Sequence, residues 1–386
     1  MKILFIEPCH VNFGGYYRAL NISRGLSRNG VKVDLLVATN KKFSLSIGKR
    51  VINNHLTVYE LPRIYLHFYI NGRILRGFIA AIFGLINRYD IIHAAMPMQF
   101  ESNIPAFILK LFGNTVVIDW DEIFEETFRS NPAINAYIHF CEHRLPSYFK
   151  NYCVVSDTLY NYAKKRGAKN VVKIINGINP NEFNPQNKLS YRSRLKLDTK
   201  TKYLFAYGNT FGSNRPYKFF KTFEYIFKLN PSIMILCNFD PLSIYRRDHL
   251  AGKIDPRIFS NFINLGYITN KEYLYTSDAA LFLSGDAISE KANFPIRIGS
   301  YLGSNLVVAL NDNNAEVSNT LKKEKCAILS QSLPVLAKKI VEFLDSPKLQ
   351  NYYLQKVKTA KQHLSVDRLT LELINFYKSI LAASRR

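Results

Sequence analysis

Residues 2–16 read KILFIEPCHVNFGGY, which has the pattern of a β-strand followed by a turn into a helix. Its apolar run has the length of a buried β-strand, and Gly14 and Gly15 follow at a turn into a helix that begins near Tyr16. Such a turn lets a ligand approach the backbone, and the free N–H groups of the helix can then bind a phosphate. A tight turn without a ligand explains the two glycines equally well. The spacing matches neither the dinucleotide-binding fingerprint nor a P-loop.

The rest of the chain repeats this alternation of strand and helix. Short runs that are almost purely apolar are typical of a parallel sheet that helices cover on both faces. The predicted strands of the first series are 2–7, 32–38, 56–61, 91–96, 115–120, 152–156 and 171–175. After the turn-forming sequence NGINP at 176–180, a second series follows at 203–207, 233–239, 262–267, 279–284, 306–310 and 327–329. A helical stretch is predicted at 347–384.

The length and composition indicate two domains. A chain of 386 residues that is 47% hydrophobic is long enough to form two cores. We predict an α/β protein with two Rossmann-like, doubly wound domains, residues 1–180 and 181–365, that face each other across a cleft. Residues 366–386 are predicted to form a helix that packs back on the first domain. Ligands of open α/β sheets bind beyond the carboxyl ends of the strands, so the cleft is the predicted binding site.

The charge of the chain favours an anionic partner. Lys and Arg number 52 and Asp and Glu 29, which gives a formal net charge of +23. A phosphorylated ligand, an anionic membrane surface or a nucleic acid would complement this charge, and a basic proteome would also produce it. No nucleic-acid-binding motif is present in the sequence, so we do not predict a nucleic-acid partner.

The cysteines and the apolar segments indicate a cytoplasmic protein. The five cysteines form no Cys-x-x-Cys pair and no zinc-ligand spacing, which predicts reduced, mostly buried thiols and no metal site. The first apolar run is shorter than the core of a signal peptide, and no stretch approaches the length of a spanning helix. Residues 73–88, RILRGFIAAIFGLINR, are apolar and flanked by arginines. This segment is either a buried helix or a helix in a membrane interface.

Further motifs carry a resemblance to a known family. They are RGLSRNG at 24–30, YDIIH at 89–93, INGIN at 175–179 with Phe183 after it, LGYI at 265–268, and FPIRIGSYL at 294–302 followed by NLVVA at 305–309. Together with the opening strand and its glycine pair, they resemble the retaining glycosyltransferases of family four, which have the GT-B fold. The resemblance covers nearly the whole chain in the family's order.

The resemblance implies an activity and its alternatives. It implies a retaining glycosyltransferase that moves a sugar from a nucleotide-sugar co-substrate to a glycan or lipid-linked acceptor, with no metal ion and no further cofactor. A non-catalytic GT-B protein that acts as a binding partner is the main alternative. A nucleotide-sugar epimerase of similar fold is a lesser one.

The resemblance places phosphate-binding cations in the loop after the first strand of the second domain. Departure of a nucleoside diphosphate builds negative charge, and a fixed cation lowers the barrier by binding that charge. The implied donor-site residues of this loop are Gly208, Asn209, Arg215 and Lys218. Arg297 is a further implied phosphate contact. A solvated basic helix start is the alternative for the loop, and a surface arginine is the alternative for Arg297.

Two acidic segments complete the implied site. The family carries two glutamates seven residues apart in the donor domain; here Ser300 stands at the ribose-binding position, and Glu290 lies close to the other. The family also places a polar residue after the fifth strand, where this chain has DWDE at 119–122. Asp119 and Asp121 are therefore predicted to bind sugar hydroxyls or act as a general base, or else to cap the next helix. Trp120 and His93 fit either a ligand contact or the core.

Overall fold

A computed structural model describes residues 1–12, 14–41, 43–64, 69–124, 131–185, 188–207, 215–266 and 271–384. The chain forms two compact units, each with its own sheet. Unit 1 comprises Met1–Gly177, Ala292–Ile296 and Ser365–Arg386, and unit 2 comprises Ile178–Lys291 and Arg297–Leu364. Residues 292–296 were predicted to lie in the second domain, 181–365. They belong with unit 1, where Asn176 Nδ2 donates to the carbonyl oxygen of the buried Phe294 at 2.5 Å.

The sheet of unit 1 has eight strands in the order β3-β4-β2-β1-β5-β6-β7-β8. Their bounds are β1 Lys2–His10, β2 Lys32–Ala38, β3 Gly48–Asn53, β4 Leu56–Leu61, β5 Ile91–Ala95, β6 Val116–Trp120, β7 Asn151–Val154 and β8 Asn170–Lys173. Neighbouring strands are parallel except β3 and β4, which pair antiparallel at the edge. Strand β3 was not predicted, because its residues, GKRVIN, are mostly exposed and have no apolar run.

The sheet of unit 2 has six parallel strands in the order β11-β10-β9-β12-β13-β14. Their bounds are β9 Tyr203–Ala206, β10 Met234–Cys237, β11 Phe262–Asn264, β12 Ala279–Phe282, β13 Val307–Leu310 and β14 Ala327–Leu329. Each predicted strand of both series is present, with ends that differ by a few residues. The prediction of two doubly wound α/β domains is confirmed.

Helices lie between most of the strands in both units, and three more follow the last strand. In unit 1 they are α1 Gly14–Arg28, α2 Tyr69–Asn87, α3 Phe100–Leu111, α4 Pro132–Phe149 and α5 Asp157–Lys165. From residue 178 onward they are α6 Lys188–Arg194, α7 Arg215–Leu229, α8 Pro241–Arg247, α9 Glu272–Thr276, α10 Ile288–Ala292, α11 Ile296–Gly303, α12 Ala315–Glu324, α13 Leu333–Asp345, α14 Pro347–His363 and α15 Val366–Ser384. Within the described part of the chain, no helix combines the length and the apolarity needed to cross a membrane.

The predicted helical stretch at 347–384 is two helices. Helix α14 ends at His363, and Ser365 begins α15 as its N-cap, since its hydroxyl accepts a hydrogen bond from Arg368 N at 3.4 Å. Helix α15 packs on α1 in unit 1, where Arg28 Nε lies 2.5 Å from Asp367 Oδ1. The side chains of Leu373, Ile374, Tyr377 and Ile380 are buried in the core of this unit.

Candidate functional site

The carboxyl edge of the unit 1 sheet carries a group of acidic residues. Ile6 pairs with Ala94 and Ala94 pairs with Ile118, so the next residues on β1 and β6, Glu7 and Asp119, lie at the same level. Residues at one level of a parallel sheet point to the same face. That face is covered by α1, which contacts both Glu7 and Asp119.

Asp119 is engaged in a buried ion pair. Arg18 of α1 donates from Nε to Oδ2 at 2.9 Å and from Nη2 to Oδ1 at 2.7 Å, and both side chains are buried. Although burial raises the pKa of Asp119, Arg18 and His93 together hold it well below its usual range. Arg18 also donates to Ile174 O and Asn176 Oδ1. Asp119 therefore anchors an arginine that ties α1 to the chain segment after β8.

His93, Asp119 and Cys153 place potential metal-ligand atoms within 4.8 Å of one another. Both oxygens of Asp119 already accept hydrogen bonds from Arg18, and a metal ion would have to displace this buried guanidinium. The hydroxyl of Tyr377 lies 2.5 Å from His93 Nδ1. These residues thus fit a structural network between the sheet, α1 and α15 better than a metal centre.

Glu7 and Asp121 are the acidic residues of this edge with raised pKa values. Burial raises the pKa of Glu7 to about 8, against the effect of the hydrogen bond from Cys9 N at 2.9 Å; Asp121 raises it further. Burial also raises the pKa of Asp121 to about 6, with Arg18 opposing and Asp119 adding to the rise. Asp121 is partly exposed, just beyond the end of β6. Near neutral pH, Glu7 is thus mostly protonated and Asp121 mostly ionised.

The glycine pair lies at the first turn of α1, where Gly15 is next to Glu7. A Cβ on Gly15 would lie 2.7 Å from Glu7 Oε1, so close packing against Glu7 accounts for this glycine. A Cβ on Gly14 would meet no atom within 4 Å. Of the two, Gly14 is therefore the residue at which a ligand can approach the backbone.

Trp120 belongs to the core of unit 1. Its indole Nε1 donates to Glu122 O at 2.8 Å, and its ring packs edge-on against Tyr152 with ring centroids 6.2 Å apart. Both side chains are fully buried. The alternative that Trp120 stacks on a sugar therefore does not apply to this arrangement.

The carboxyl edge of the unit 2 sheet carries cations, each with an acidic partner. Arg215 and Lys218 stand in the first turn of α7. Arg215 lies 2.7 Å from Glu290 Oε2, which also accepts from Gly285 N, and Lys218 Nζ lies 2.7 Å from Asp286 Oδ1. Gly208 and Asn209 lie outside the described residues.

The two ion pairs of unit 2 differ in exposure. The Arg215 and Glu290 side chains are about nine-tenths buried, whereas Asp286 is 52% exposed. Charges that are paired in a buried site are costly to separate, whereas an exposed pair contributes little and exchanges readily with other ions. Lys218 is therefore the cation whose partner an incoming anion can replace most easily.

Arg297 lies beside this group. It donates from Nη1 to Tyr207 O at 3.0 Å, directly after β9, and its guanidinium lies 5.6 Å from the ring centroid of Phe282. Ser300 follows one turn later on α11 and is partly exposed. The cations Arg215, Lys218 and Arg297, on helices α7 and α11, thus lie near the ends of β9 and β12. This is the edge at which open α/β sheets bind ligands.

The chain resembles several solved structures over nearly its whole length. A sucrose-phosphate synthase from Thermosynechococcus elongatus superposes with a TM-score of 0.71 at 14% sequence identity, over 99% of this chain and 100% of that chain. WaaG, a glycosyltransferase involved in lipopolysaccharide biosynthesis, gives a TM-score of 0.68 at 12% identity, over 97% of this chain and 98% of its own. Both comparisons extend over both units.

A structure described as trehalose-6-phosphate from E. coli bound with UDP-2-fluoro glucose also gives 0.68 at 12% identity, with 98% of each chain covered. The chain has the GT-B fold. No protein-family model matches the sequence, and no curated protein matches it. At these identities the structural likeness establishes the GT-B fold alone.

Two acidic residues near strand ends of this GT-B protein were not predicted as site residues from the sequence. Glu7 interrupts an apolar strand, and Asp286 comes shortly after β12. An acidic residue near the carboxyl end of a predicted parallel strand is the signal that would have identified both. The sequence alone did not show that Arg215 pairs with Glu290, because 75 residues separate them.

Proposed function

We propose that this protein is a glycosyltransferase that moves a sugar from a nucleotide-sugar donor to a glycan or lipid-linked acceptor. The observation that carries the proposal is the placement of Arg215 and Lys218 at the start of α7, at the carboxyl edge of a GT-B domain. The solved structure of similar fold that is bound with UDP-2-fluoro glucose supports a nucleotide-sugar donor. We assign the donor to unit 2 and the acceptor to unit 1.

Lys218 is proposed to bind the diphosphate of the donor. The amino group of Lys218 and the N-terminal N–H groups of α7 attract negative charge. An incoming phosphate would replace Asp286, the exposed partner of Lys218. Because negative charge on the leaving diphosphate grows as the sugar departs, the same contacts stabilise the transition state more than the ground state.

Arg215 and Glu290 are proposed to act as a fixed pair. Arg215 holds Glu290 through Oε2, and Gly285 N donates to the same oxygen. This arrangement orients the carboxylate of Glu290, which can accept hydrogen bonds from sugar or ribose hydroxyls. Gly208, Asn209, Arg297 and Ser300 are proposed as further donor contacts, on the basis of the family resemblance.

On the acceptor side, we assign Asp121 rather than Asp119 the contact with a hydroxyl group. Asp121 is partly exposed, whereas both oxygens of Asp119 accept hydrogen bonds from Arg18. A carboxylate with a pKa of about 6 is ionised near neutral pH and can accept a proton. Gly14, at the first turn of α1, is the proposed backbone contact, with Gly15 beside it.

The resemblance to family four extends the proposal to a retaining reaction. Attack by the acceptor and departure of the donor diphosphate then occur on one face of the sugar, with the donor phosphate helping to remove the acceptor proton. This scheme uses no enzyme nucleophile, no metal ion and no cofactor beyond the nucleotide-sugar co-substrate. A cytoplasmic location at the membrane surface, without a nucleic-acid partner, completes the proposal.

A non-catalytic GT-B protein is the second candidate. The observation that favours it is Ser300, which stands where the family resemblance places the ribose-binding glutamate. In that case the protein would bind a nucleotide or a sugar and transfer nothing. Binding and turnover must therefore be measured separately.

The test is a thermal-shift panel of nucleoside diphosphates and nucleotide sugars, followed by an assay for nucleoside diphosphate release with glycan and lipid-linked acceptors. A ligand that binds only the folded state raises the melting temperature. We expect one nucleotide sugar to raise it selectively, and Lys218→Ala to weaken that binding by about tenfold or more. Lys221→Ala is the matched control, because Lys221 lies one turn later on α7 and pairs with Glu224.

The outcomes separate the two candidates. Selective binding with release of the diphosphate supports the transferase, and binding without release in the presence of acceptors supports the non-catalytic protein. If no nucleotide or nucleotide sugar changes the melting temperature, or if Lys218→Ala and Lys221→Ala behave alike, the proposed donor site is wrong.

A further inference from the structure

Helix α2 is apolar on both its inner and its outer face. On the inner face, Gly77 approaches Phe100 O and Ile104 of α3, Gly84 approaches Leu109, and Ala80 and Ala81 are buried. On the outer face, five large apolar side chains are exposed, and their spacing is that of one face of a helix. They are Leu75, Phe78, Ile82, Leu85 and Ile86. Residues 73–88 were predicted to form either a buried helix or a helix in a membrane interface. The helix has one buried apolar face and one exposed apolar face.

The exposed apolar surface continues onto the end of α3. Leu111 and Phe112 are 78% and 69% exposed, and Ile86 near the end of α2 is 73% exposed. The contact between Gly84 and Leu109 places the last turns of the two helices side by side. We call these seven side chains the apolar patch; its members are Leu75, Phe78, Ile82, Leu85, Ile86, Leu111 and Phe112. An exposed patch of this kind on a soluble domain marks an interaction surface.

Cations border the apolar patch where the two helices end. Arg88 is exposed just after α2, Lys2 Nζ bonds to Asn87 O at 2.9 Å, and Lys110 lies in the last turn of α3. Lys110 Nζ donates to Tyr148 O and lies 4.0 Å from the ring centroid of Tyr148, so Lys150, two residues further along the chain, lies nearby. This group of Lys2, Arg88, Lys110 and Lys150 is the basic rim.

Few acidic residues lie around the apolar patch, and those described below already pair with Arg or Lys residues or accept backbone hydrogen bonds. Helix α2 contains no Asp or Glu. Glu101 of α3 is buried and pairs with Arg76 at 2.6 Å, and Arg73 lies 3.6 Å from the same oxygen. Asp34 lies 3.8 Å from Lys2 Nζ, and Asp90 accepts from the backbone N of Lys2 at 2.7 Å. The border of the patch is therefore basic on balance.

We propose that the apolar patch inserts into the headgroup region of an anionic bilayer, with α2 parallel to the membrane plane and the basic rim on lipid phosphates. Apolar side chains on one face with cations at its border are the features of a helix that lies in a membrane interface. A second copy of the chain fits less well, because it would bring two basic rims and two net charges of +23 together. This proposal rests on the membrane location in the proposed function and identifies the surface of the protein that would contact the membrane.

The test is sedimentation of the full chain with vesicles of phosphatidylcholine alone and of phosphatidylcholine mixed with phosphatidylglycerol. We expect the protein to bind the anionic vesicles at least about tenfold more tightly, and added salt to weaken that binding. Ile82→Gln combined with Ile86→Gln is expected to weaken it by about tenfold or more. Leu189→Gln combined with Leu371→Gln is the control, because both leucines are exposed apolar helix residues elsewhere.

The basic rim has its own matched pair of variants. Arg88→Gln with Lys150→Gln is expected to reduce binding to the anionic vesicles several-fold and to leave the weak binding to neutral vesicles unchanged. Lys325→Gln with Lys338→Gln removes the same charge elsewhere, and Lys325 follows its helix in the left-handed conformation as Lys150 does. Circular dichroism and melting temperatures verify that every variant is folded.

Three results would overturn the proposal. The first is binding of the Ile82/Ile86 variant to anionic vesicles as tightly as the unaltered protein, and the second is no vesicle binding by either. The third is a concentration-dependent dimer, seen by light scattering, that the Ile82/Ile86 variant abolishes while vesicle binding persists. Neither measurement involves sugar transfer, so the membrane proposal and the transferase proposal can fail independently.

Discussion

Glu7 makes the stability of the protein depend on pH. Its pKa is about 8 in the folded chain and 4.5 as an ordinary glutamate, so between these values the folded state holds a proton that the unfolded state has released. Stability therefore falls as pH rises through this window and levels off above it. Glu7→Gln removes this titration and keeps an oxygen that can accept from Cys9 N.

We therefore expect Glu7→Gln to gain stability relative to the unaltered chain between about pH 5 and about pH 9, by up to about 5 kcal/mol. Urea unfolding at several pH values measures the difference. Glu342→Gln serves as the control, since Glu342 is exposed and pairs with Lys338 across one helical turn. If the free energy of unfolding changes with pH in the same way for Glu7→Gln and the unaltered chain, Glu7 is not protonated in the folded state.

Single residues of the site were only partly predictable from the sequence. Arg215 and Lys218 were predicted because the family resemblance places phosphate-binding cations after the first strand of the second domain, and a glycine-containing loop precedes both residues. The role of Asp119 depends on Arg18, which lies 101 residues away in the chain. Local sequence identifies an acidic residue at a strand end, but only the packing of α1 shows whether solvent or an arginine meets it.

At the scale of elements, Gly25 sets how closely α1 and α15 approach. A Cβ at this position would lie 2.6 Å from Val366 Cγ1 and 2.7 Å from Thr370 Oγ1. Gly25→Ala therefore forces the helices apart or moves side chains off their rotamers, and we expect it to destabilise unit 1 by about 1–3 kcal/mol. Denaturant unfolding measures this loss.

The matched control for Gly25→Ala is Gly14→Ala on the same helix, whose added Cβ would meet no atom within 4 Å. We expect this variant to be neutral or slightly more stable, because alanine loses less backbone entropy than glycine when it folds. Equal unfolding curves for the two variants would mean that α15 can shift away from α1 without a penalty.

Elements that bury an apolar side were predicted well from the sequence, and elements that do not were missed. The strands inside both sheets are apolar runs, whereas the edge strand β3 is mostly exposed and carries no such signal. Residues 347–384 have the composition of a helix throughout, so the break between α14 and α15 was not predicted. This break depends on one N-cap, Ser365, and on the packing of α15 against α1.

At the scale of the whole molecule, the chain leaves unit 1 at residue 177, contributes residues 292–296 to it, and returns to it for the last helix at residue 365. The points at residues 177 and 365 are close in space, because Ile178 N donates to Leu364 O at 2.8 Å. No family model matches the sequence, but its alternating strands and helices still predicted two such units. This is because hydrophobic periodicity reports secondary structure without any similarity to a known sequence. The return of the chain is a tertiary property that periodicity does not encode.

A fragment of residues 1–177 should therefore fail to fold cooperatively by itself. It lacks α15, whose Leu373, Ile374, Tyr377 and Ile380 are buried in the core of unit 1. Each contributes roughly 2 kcal/mol of burial, and their sum is comparable with the whole stability of a domain. Joining residues 365–386 to residue 177 through a short glycine-serine linker should restore a cooperative urea transition, because the two chain ends are adjacent. Linking the same residues in scrambled order is the control. If residues 1–177 unfold cooperatively without α15, that helix is an accessory to the core of unit 1 and not a part of it.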